Sequence, residues 1–167
     1  RPYMFVQRAY QPTDAIIVPS VSSERREYIP IGFVDKETVI SNLAFAVYDA
    51  ELWLFALLTS KIHNVWVRTV GGRLKTDYRY SATLCYNTFP FPKITKEQRE
   101  HLTELAEEVL LTRENHTEMT LGEMYNPETM PDDLKQAHHK LDIAVEQCYR
   151  IEPFTSDERL AKWIPSR

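Results

Sequence analysis

The sequence predicts an α+β fold: a mixed or antiparallel twisted sheet with a packed helix, residues 1–93, followed by an antiparallel helical tail, residues 94–167. Three observations support this prediction. Short apolar runs separated by turn-forming residues occupy the first half, as in a sheet. Apolar residues at helical spacing, preceded by a capping signature, occupy the second half. Between the halves, the alternating prolines of residues 89–92 force an extended backbone and mark the boundary.

The first domain contains several runs with the composition of strands. They are residues 4–6, 15–18, 28–33, 45–48 and 83–86. Pro30 lies within the third run, and proline has no N–H to donate to a ladder. We therefore expect that strand to lie at an edge of the sheet or to be bulged at Pro30.

Residues 51–70 predict one amphipathic helix. Its buried side is expected to consist of Leu52, Phe55, Thr59, Ile62 and Trp66, which recur at three- and four-residue steps. Lys61, Asn64 and Arg68 share another side of the same helix. The helix is thus expected to have one buried and one cationic stripe. The β-prone triplet at residues 65–67 favours an early end of this helix.

The segment after this helix predicts a hairpin that faces a nucleic acid. Gly71 and Gly72 allow the chain to bend without a Cβ penalty. Beyond them, charged residues alternate with uncharged ones, so an extended strand would have its charges on one face. The charged residues are Arg73, Lys75, Asp77 and Arg79, and the others are Leu74, Thr76, Tyr78 and Tyr80.

Two interpretations of this segment remain open on the residues alone. In the first, Arg73, Lys75 and Arg79 contact phosphates. A neighbouring hydroxyl or ring, from Tyr78 or Tyr80, would add a polar or stacking contact. In the second, the segment is a solvated strand face with a local aspartate as counter-ion. The cationic stripe of the preceding helix favours the first interpretation, because two adjacent elements would then form one cationic surface.

Residues 20–27 predict a polar connection between strands, and loops often carry recognition residues. Ser22 and Ser23 offer hydroxyl groups, and Arg25 and Arg26 offer guanidinium groups. Arginine can bond guanine O6 and N7 in the major groove, so these residues are candidates for base-edge contacts. The alternative is an ordinary exposed turn in which glutamate and arginine pair.

In the second half, Thr95 and Gln98 form a capping-box signature. The helix that follows is predicted to bury Leu102, Leu105, Ala106, Val109 and Leu110. A second helix, over about residues 131–149, is predicted to bury Leu134, His138, Leu141, Val145 and Cys148. The two are expected to pair antiparallel across the loop 114–130. A short helix near residues 156–163 is expected to cap them.

Charge is distributed unevenly along the 167 residues. Residues 1–93 hold eleven Lys and Arg against eight Asp and Glu, whereas residues 94–167 hold nine against sixteen. We therefore expect the first part to meet an anionic partner and the second part to meet protein or solvent.

Several classes of function are not expected. The longest apolar run, residues 52–58, is far shorter than the ~20 residues that cross a bilayer, so no membrane partner is expected. The 2 cysteines and 5 histidines lack the spacing of a disulfide framework or a zinc site, so no metal and a reducing, cytoplasmic location are expected. No nucleophile elbow, P-loop or dinucleotide motif occurs, so we expect no catalysis by this chain. Because the chain begins with Arg1 and Pro2, we expect it to be part of a longer polypeptide.

Several segments resemble the C-terminal part of MmeI-type bacterial DNA methyltransferases. They are residues 22–33, 72–81, 86–92, 120–125, 130–134 and 137–138, so the resemblance covers nearly the whole chain. It implies a target-recognition domain followed by a helical C-terminal region. The order of helix, glycine turn, strand, Pro-rich exit and long helix is also similar, more loosely, to half of a type I restriction specificity subunit.

The resemblance implies a parent enzyme that moves a methyl group from S-adenosylmethionine to N6 of adenine in a short DNA sequence, within restriction–modification or phage defence. The family's cofactor loop, its Asn-Pro-Pro-aromatic motif and any nuclease motif are missing from these residues. S-adenosylmethionine is therefore expected upstream, and no cofactor is expected in this chain. The implied role of the chain is recognition of double-stranded DNA around the extruded adenine.

We thus predict sequence-specific DNA recognition, with the helical tail docked on the absent catalytic methyltransferase domain. The predicted DNA contacts are Ser22, Ser23, Arg25, Arg26, Lys61, Asn64, Arg68, Arg73, Lys75, Thr76, Arg79 and Tyr80. The alternative is a protein-interaction module, in which the acidic helices bind a partner and the basic strand only aids solubility. An enzyme fragment with residual catalysis is the least favoured alternative.

Overall fold

The computed structural model describes residues 11–150 and 156–163, so the strand predicted at residues 4–6 lies outside it. The strands in this part are β1 (Ala15–Pro19), β2 (Val21–Ser22), β3 (Gly32–Val34), β4 (Ala44–Tyr48), β5 (Gly72–Leu74) and β6 (Asp77–Arg79). The α-helices are α1 (Leu52–Thr59), α2 (Lys61–Val70), α3 (Lys96–Glu114), α4 (Leu121–Met124), α5 (Asp132–Gln147) and α6 (Asp157–Trp163). This is the predicted α+β class.

The strands form two small antiparallel sheets rather than the single sheet expected. One sheet has the order β3-β1-β4, and the other has the order β2-β6-β5. Ser20 lies between β1 and β2, and its carbonyl accepts a 2.9 Å hydrogen bond from the backbone N–H of Tyr80. Strand β3 begins only at Gly32, so residues 28–31 of the predicted strand are irregular. Pro30 favours this shortening, because it cannot donate to the ladder.

The single helix expected over residues 51–70 is divided at Ser60. This residue is extended, with φ −71° and ψ 160°, and its Oγ accepts a 3.4 Å hydrogen bond from the N–H of His63. Serine is a favourable N-cap because its side chain satisfies one of the unpaired donors of the first turn. Helix α2 then continues to Val70, so the early end expected from residues 65–67 is wrong.

The strand predicted at residues 83–86 is also wrong, because Ala82–Tyr86 form a π-helical turn. The N–H of Asn87 donates to the carbonyl of Ala82 at 2.9 Å, which is the wide spacing of such a turn. Ser81 begins the turn, since its Oγ accepts a 3.3 Å bond from the N–H of Leu84. The indole N–H of Trp66 donates to the carbonyl of Cys85 at 3.1 Å and ties the turn to α2.

The capping box at the start of α3 is confirmed. Thr95 Oγ1 accepts from the N–H of Gln98 at 3.2 Å, and Gln98 Oε1 accepts from the N–H of Thr95 at 2.9 Å. Helix α3 packs on both α5 and α1. The predicted loop 114–130 contains the short helix α4, which begins with a second capping box between Thr120 and Glu123.

One apolar core extends across the sequence boundary. It joins Ile16 of β1 and Phe55 of α1 to Leu102 of α3 and Leu141 of α5. The predicted boundary at residue 93 therefore does not separate two cores. Within the part of the chain that the structure describes, none of the helices combines the length and the apolar character that crossing a bilayer requires.

Candidate nucleic-acid interface

Strands β5 and β6 form a tight hairpin whose turn consists of Lys75 and Thr76. Arg73 lies opposite Tyr78, and Leu74 lies opposite Asp77. Lys75 has φ 58°, a left-handed conformation that is uncommon for a residue with a side chain. The reversal is therefore at the hairpin tip and not at the two glycines.

Gly71 is needed for a close approach rather than for a turn. A Cβ at this position would lie 2.5 Å from the carbonyl oxygen of Val67 and 3.3 Å from that of Arg79. Gly72 is different, because its Cβ would meet only the Cβ of Arg79, at 3.9 Å. Gly71 thus lets the hairpin start directly against the C-terminal end of α2.

The position of the turn changes which charges share a face. Residues directly opposite each other in an antiparallel pair project to the same side. Arg73 and Tyr78 therefore share one face of the hairpin, whereas Asp77 and Arg79 belong to the other. The expectation that all the charges lie on one face is wrong, because it assumed that residues 73–80 form one uninterrupted strand. The hairpin instead carries a cation on each face and Lys75 at its exposed tip.

The tyrosine on the first face contacts two arginines. The guanidinium carbon of Arg73 lies 4.0 Å from the centre of the Tyr78 ring, and that of Arg68 lies 5.9 Å from it. Arg73 Nη1 also donates to the carbonyl of Thr76, at 2.7 Å, and to Glu24 Oε2, at 3.2 Å. Arg73 is thus fixed across its own hairpin.

The cations of the predicted stripe on α2 make contacts within the protein. Arg68 is half-buried and donates to the carbonyl of Arg26 at 2.7 Å. Lys61, at the other end of α2, lies 3.5 Å from Glu27 Oε1. Only Arg68 therefore adjoins the hairpin, and the single cationic surface expected from Lys61 to Arg79 is not formed.

Asn64 and Tyr80 are interior residues, and the expectation that they face a partner is wrong. Asn64 is 3% exposed, and its Oδ1 accepts from the N–H of Ile29 at 2.8 Å. Tyr80 is 4% exposed, and its hydroxyl lies 3.0 Å from His63 Nε2. Burial raises the pKa of the Tyr80 hydroxyl and lowers the pKa of His63 to about 3, so this pair stays neutral.

The loop before residue 28 is divided between interior and surface. Ser22 is 5% exposed, and Arg26 is half-buried with its Nη2 3.3 Å from the carbonyl of Gly122. Neither position suits the predicted base contact. Ser23 and Arg25 are more accessible, and Arg25 pairs with Glu128 of the segment between α4 and α5. The alternative expectation was a turn in which glutamate and arginine pair. Arg25 does pair with a glutamate, but that glutamate is distant in sequence and not part of the turn.

Arg113 is a buried cation that was not predicted from the sequence. Its Nη1 donates to the carbonyl of Ile31 and its Nε donates to the hydroxyl of Tyr125, both at 2.9 Å. The Tyr125 hydroxyl in turn lies 2.6 Å from His138 Nε2. Burial first, and then the charge of Arg113, lower the pKa of His138 to about 3. The available signal was spacing, because Arg113 lies one helical turn after Val109 on the apolar stripe.

Asp142 is a second buried group that joins the tail to the first domain. Its Oδ2 accepts from the hydroxyl of Tyr28 at 2.6 Å, and its Oδ1 accepts from the backbone N–H of Lys61 at 2.7 Å. The carboxylate of α5 thereby satisfies a free donor in the first turn of α2. Burial raises the pKa of Asp142 to about 7, against the lowering effect of these two hydrogen bonds and of the Lys61 charge.

We expect D142N to remove one component of the pH dependence of stability. Between about pH 4 and pH 7 the folded chain keeps a proton on Asp142 that the unfolded chain has lost, because the pKa is raised from 3.8 to about 7. This contribution to the free energy of unfolding is complete at low pH and is lost as the pH rises, by ~1.4 kcal/mol per unit. Asparagine is neutral at every pH and has the same shape.

The buried histidines act in the opposite direction, since His63 and His138 have pKa values lowered from 6.5 to about 3. The informative quantity is therefore the difference in free energy of unfolding between wild type and D142N, measured by urea unfolding at pH 5, 6 and 7.5. D142N is expected to gain stability relative to wild type at each step upwards. A difference that is independent of pH would show that Asp142 is ionised throughout.

The fold and the hairpin define the class of this molecule: an α+β module with an exposed cationic hairpin and a helical extension that shares its core. In the described ranges, no group of three or more His, Cys, Asp or Glu side chains is arranged to hold a metal ion. The chain belongs to the MmeI family. The family model for the MmeI target recognition domain matches residues 1–93, and the model for the MmeI C-terminal domain matches residues 94–165.

Two relatives illustrate the similarity. The chain is 53% identical over 144 residues to DNA methyltransferase A of Bacillus subtilis (strain 168), covering 86% of this chain and 16% of that protein. The solved structure of the type IIL restriction-modification enzyme MmeI in complex with DNA matches with a TM-score of 0.95 and 39% identity. That match covers 99% of this chain and 22% of the solved one. The predicted resemblance is confirmed, and the chain corresponds to a small part of each relative.

Proposed function

We propose that this chain is the part of a DNA methyltransferase of a restriction-modification system that recognises the target sequence in double-stranded DNA. The observation that carries the proposal is the exposed β5–β6 hairpin, with Lys75 and Thr76 at its tip and Arg73 and Arg79 on its two faces. Membership of the MmeI family supports it, as does the likeness to a solved enzyme in complex with DNA.

The dimensions of DNA explain why a hairpin suits this role. The major groove is about 12 Å wide and admits a two-stranded ribbon. A ribbon that enters tip first brings Lys75 and Thr76 to the base edges, and its two faces turn towards the two phosphate backbones. We therefore assign Arg73 and Arg79 to phosphates. The sequence pattern assigned Lys75 to a phosphate as well, but its position at the tip makes a base edge the better proposal.

The parent protein would supply the chemistry. The family implies methyl transfer from S-adenosylmethionine to adenine N6 by residues outside this chain, in a bacterial cytoplasm. The core shared by the tail and the first domain supports a rigid unit that the parent's catalytic domain contacts as a whole. The tail would then hold the hairpin at a fixed position relative to the extruded adenine.

Hydrogen exchange of the full-length parent tests this proposal against the protein-interaction alternative. With a duplex containing the target sequence, amides of residues 72–79 are expected to exchange more slowly than with a scrambled duplex of equal length. Exchange of the α3 amides should be unaffected by DNA. If the cognate duplex protects no part of residues 20–27 or 72–79, this chain does not recognise DNA and the interaction module is the better account.

A further inference from the structure

Two of the exposed arginines near the hairpin are already neutralised within the protein. Arg73 Nη1 lies 3.2 Å from Glu24 Oε2, and the two side chains are 48% and 43% exposed. Arg25 pairs with Glu128, and these side chains are 66% and 69% exposed. Lys75 differs from both, because in the described ranges it has no carboxylate partner. Among the described residues, the cations around the hairpin are therefore of two kinds, those that pair with a carboxylate and those that do not.

The paired charges form a connected group. Glu24 and Arg25 are neighbours in one loop, which therefore contacts the hairpin through Arg73 and the tail through Glu128. The group carries two positive and two negative charges, so it offers an approaching phosphate little net attraction. A duplex that binds Arg73 and Arg25 must compete with both carboxylates.

Arg73 does not depend on Glu24 for its position. Its guanidinium group stacks on Tyr78 at 4.0 Å and donates to the carbonyl of Thr76 at 2.7 Å. Carboxylate and phosphate oxygens accept from a guanidinium group in the same geometry. A phosphate can thus replace the Glu24 carboxylate while the arginine stays where it is.

We propose that Glu24 and Glu128 occupy the positions of two DNA phosphates, and that each carboxylate is displaced from its arginine when DNA binds. The inference rests on the proposed function. Exposed ion pairs contribute only about 0–1 kcal/mol, so the phosphates of a duplex can displace them. Until a duplex arrives, the two glutamates lower the affinity of the surface for polyanions. Lys75 and Arg79 are left to make the first electrostatic contact.

The test measures the affinity of the full-length parent for its target duplex at 0.15 M salt by fluorescence anisotropy. E24Q and E128Q are each expected to raise affinity about two- to five-fold, since no internal pair has to be broken. The control E107Q removes the same charge from an exposed glutamate of α3 that has no ion pair in the described structure, and it should change affinity little.

A double-mutant comparison separates exchange from general repulsion. The gain from E24Q is expected to vanish in an R73Q background, and the gain from E128Q in an R25Q background. Gains equal to that of E107Q, or gains that survive loss of the arginine, would overturn the exchange. If R73Q weakens binding but E24Q has no effect, only this inference fails. If neither R73Q nor R25Q weakens binding, the exchange fails and the proposed phosphate contact of Arg73 fails with it.

Discussion

Replacing Arg113 by leucine is expected to lower the free energy of unfolding by roughly 2–4 kcal/mol. The carbonyl of Ile31 and the hydroxyl of Tyr125 would each lose a 2.9 Å hydrogen bond. A buried acceptor left without a donor costs about 1–3 kcal/mol. The guanidinium group also contacts the rings of Phe55 and Tyr125, at 5.2 Å and 5.0 Å. The apolar side chain of leucine offsets only part of this loss, because it is shorter than arginine and has no donor for either acceptor.

The measurement is urea unfolding of R113L at pH 7.5, and R99L is the matched control. Arg99 lies on the same helix but is exposed, and it contacts the Trp53 ring at 5.0 Å and Glu51 at 3.6 Å. Because exposed contacts of this kind are weak, R99L is expected to cost less than about 1 kcal/mol. Equal losses in the two variants would contradict the role of Arg113 in joining the tail to residues 28–31.

The expected loss of stability matters for function because Arg113 bonds to the segment 28–31. Residues 28–31 are irregular, and all but Pro30 are buried. Side chains from three helices satisfy their polar groups: Asn64 of α2, Arg113 of α3 and Asp142 of α5. This segment follows directly on the loop that carries Glu24 and Arg25. The tail thus stabilises the segment of the first domain that follows this surface loop.

The helices of the tail were predictable because their signals are local. The hydroxyl of Thr95 and the amide of Gln98 are three residues apart, and the hydrogen bonds they make depend on nothing outside that turn. The apolar residues of α3 and α5 recur at the helical period, and most of them are buried. The family resemblance also followed from local sequence.

The positions at which helices and strands of the first domain end or turn were not predictable from periodicity. Helical spacing continues through Ser60, and only the extended backbone there shows that the helix divides. Gly71 and Gly72 suggested a turn, but the left-handed residue is Lys75, which carries no comparable signal. The residues at positions 83–86 favour a strand, yet they form a π-helical turn, in which the N–H of Leu84 donates to Ser81 Oγ and the indole of Trp66 donates to the carbonyl of Cys85.

The site was predictable as a segment but not as a set of side chains. Charge alternation located the hairpin, whereas burial removed Asn64 and Tyr80 from the candidate surface. A helical repeat shows which residues share a side, but it does not show that α2 is covered on more than one side. The partners Glu24 and Glu128 lie 49 and 103 residues from Arg73 and Arg25, so no local pattern reveals them.

Replacing Lys75 by asparagine in the full-length parent is expected to weaken binding to the target duplex roughly 5- to 150-fold, the effect of losing one base-edge contact of ~1–3 kcal/mol. Asparagine tolerates the left-handed φ of 58°, so the turn is preserved while the charge is removed. K75N should lose discrimination at one base pair only. Duplexes substituted at that base pair already lack the contact in the wild type and are bound weakly by it, so K75N should weaken their binding little.

Arg79→Gln is the matched comparison, since it removes a cation from the face of the same hairpin. Loss of a phosphate contact is expected to weaken binding to every duplex alike and to make the slope of log affinity against log salt less steep by ~0.9. The two variants therefore differ in the pattern of loss and not only in its size.

The most direct measurement is the affinity of the wild-type, K75N and R79Q parents for the target duplex and for every single-base substitution of it. A hairpin that reads bases predicts that K75N loses discrimination at one base pair and keeps it elsewhere, while R79Q keeps discrimination everywhere. Identical discrimination by K75N and wild type at every position would contradict the claim that the hairpin tip reads the sequence.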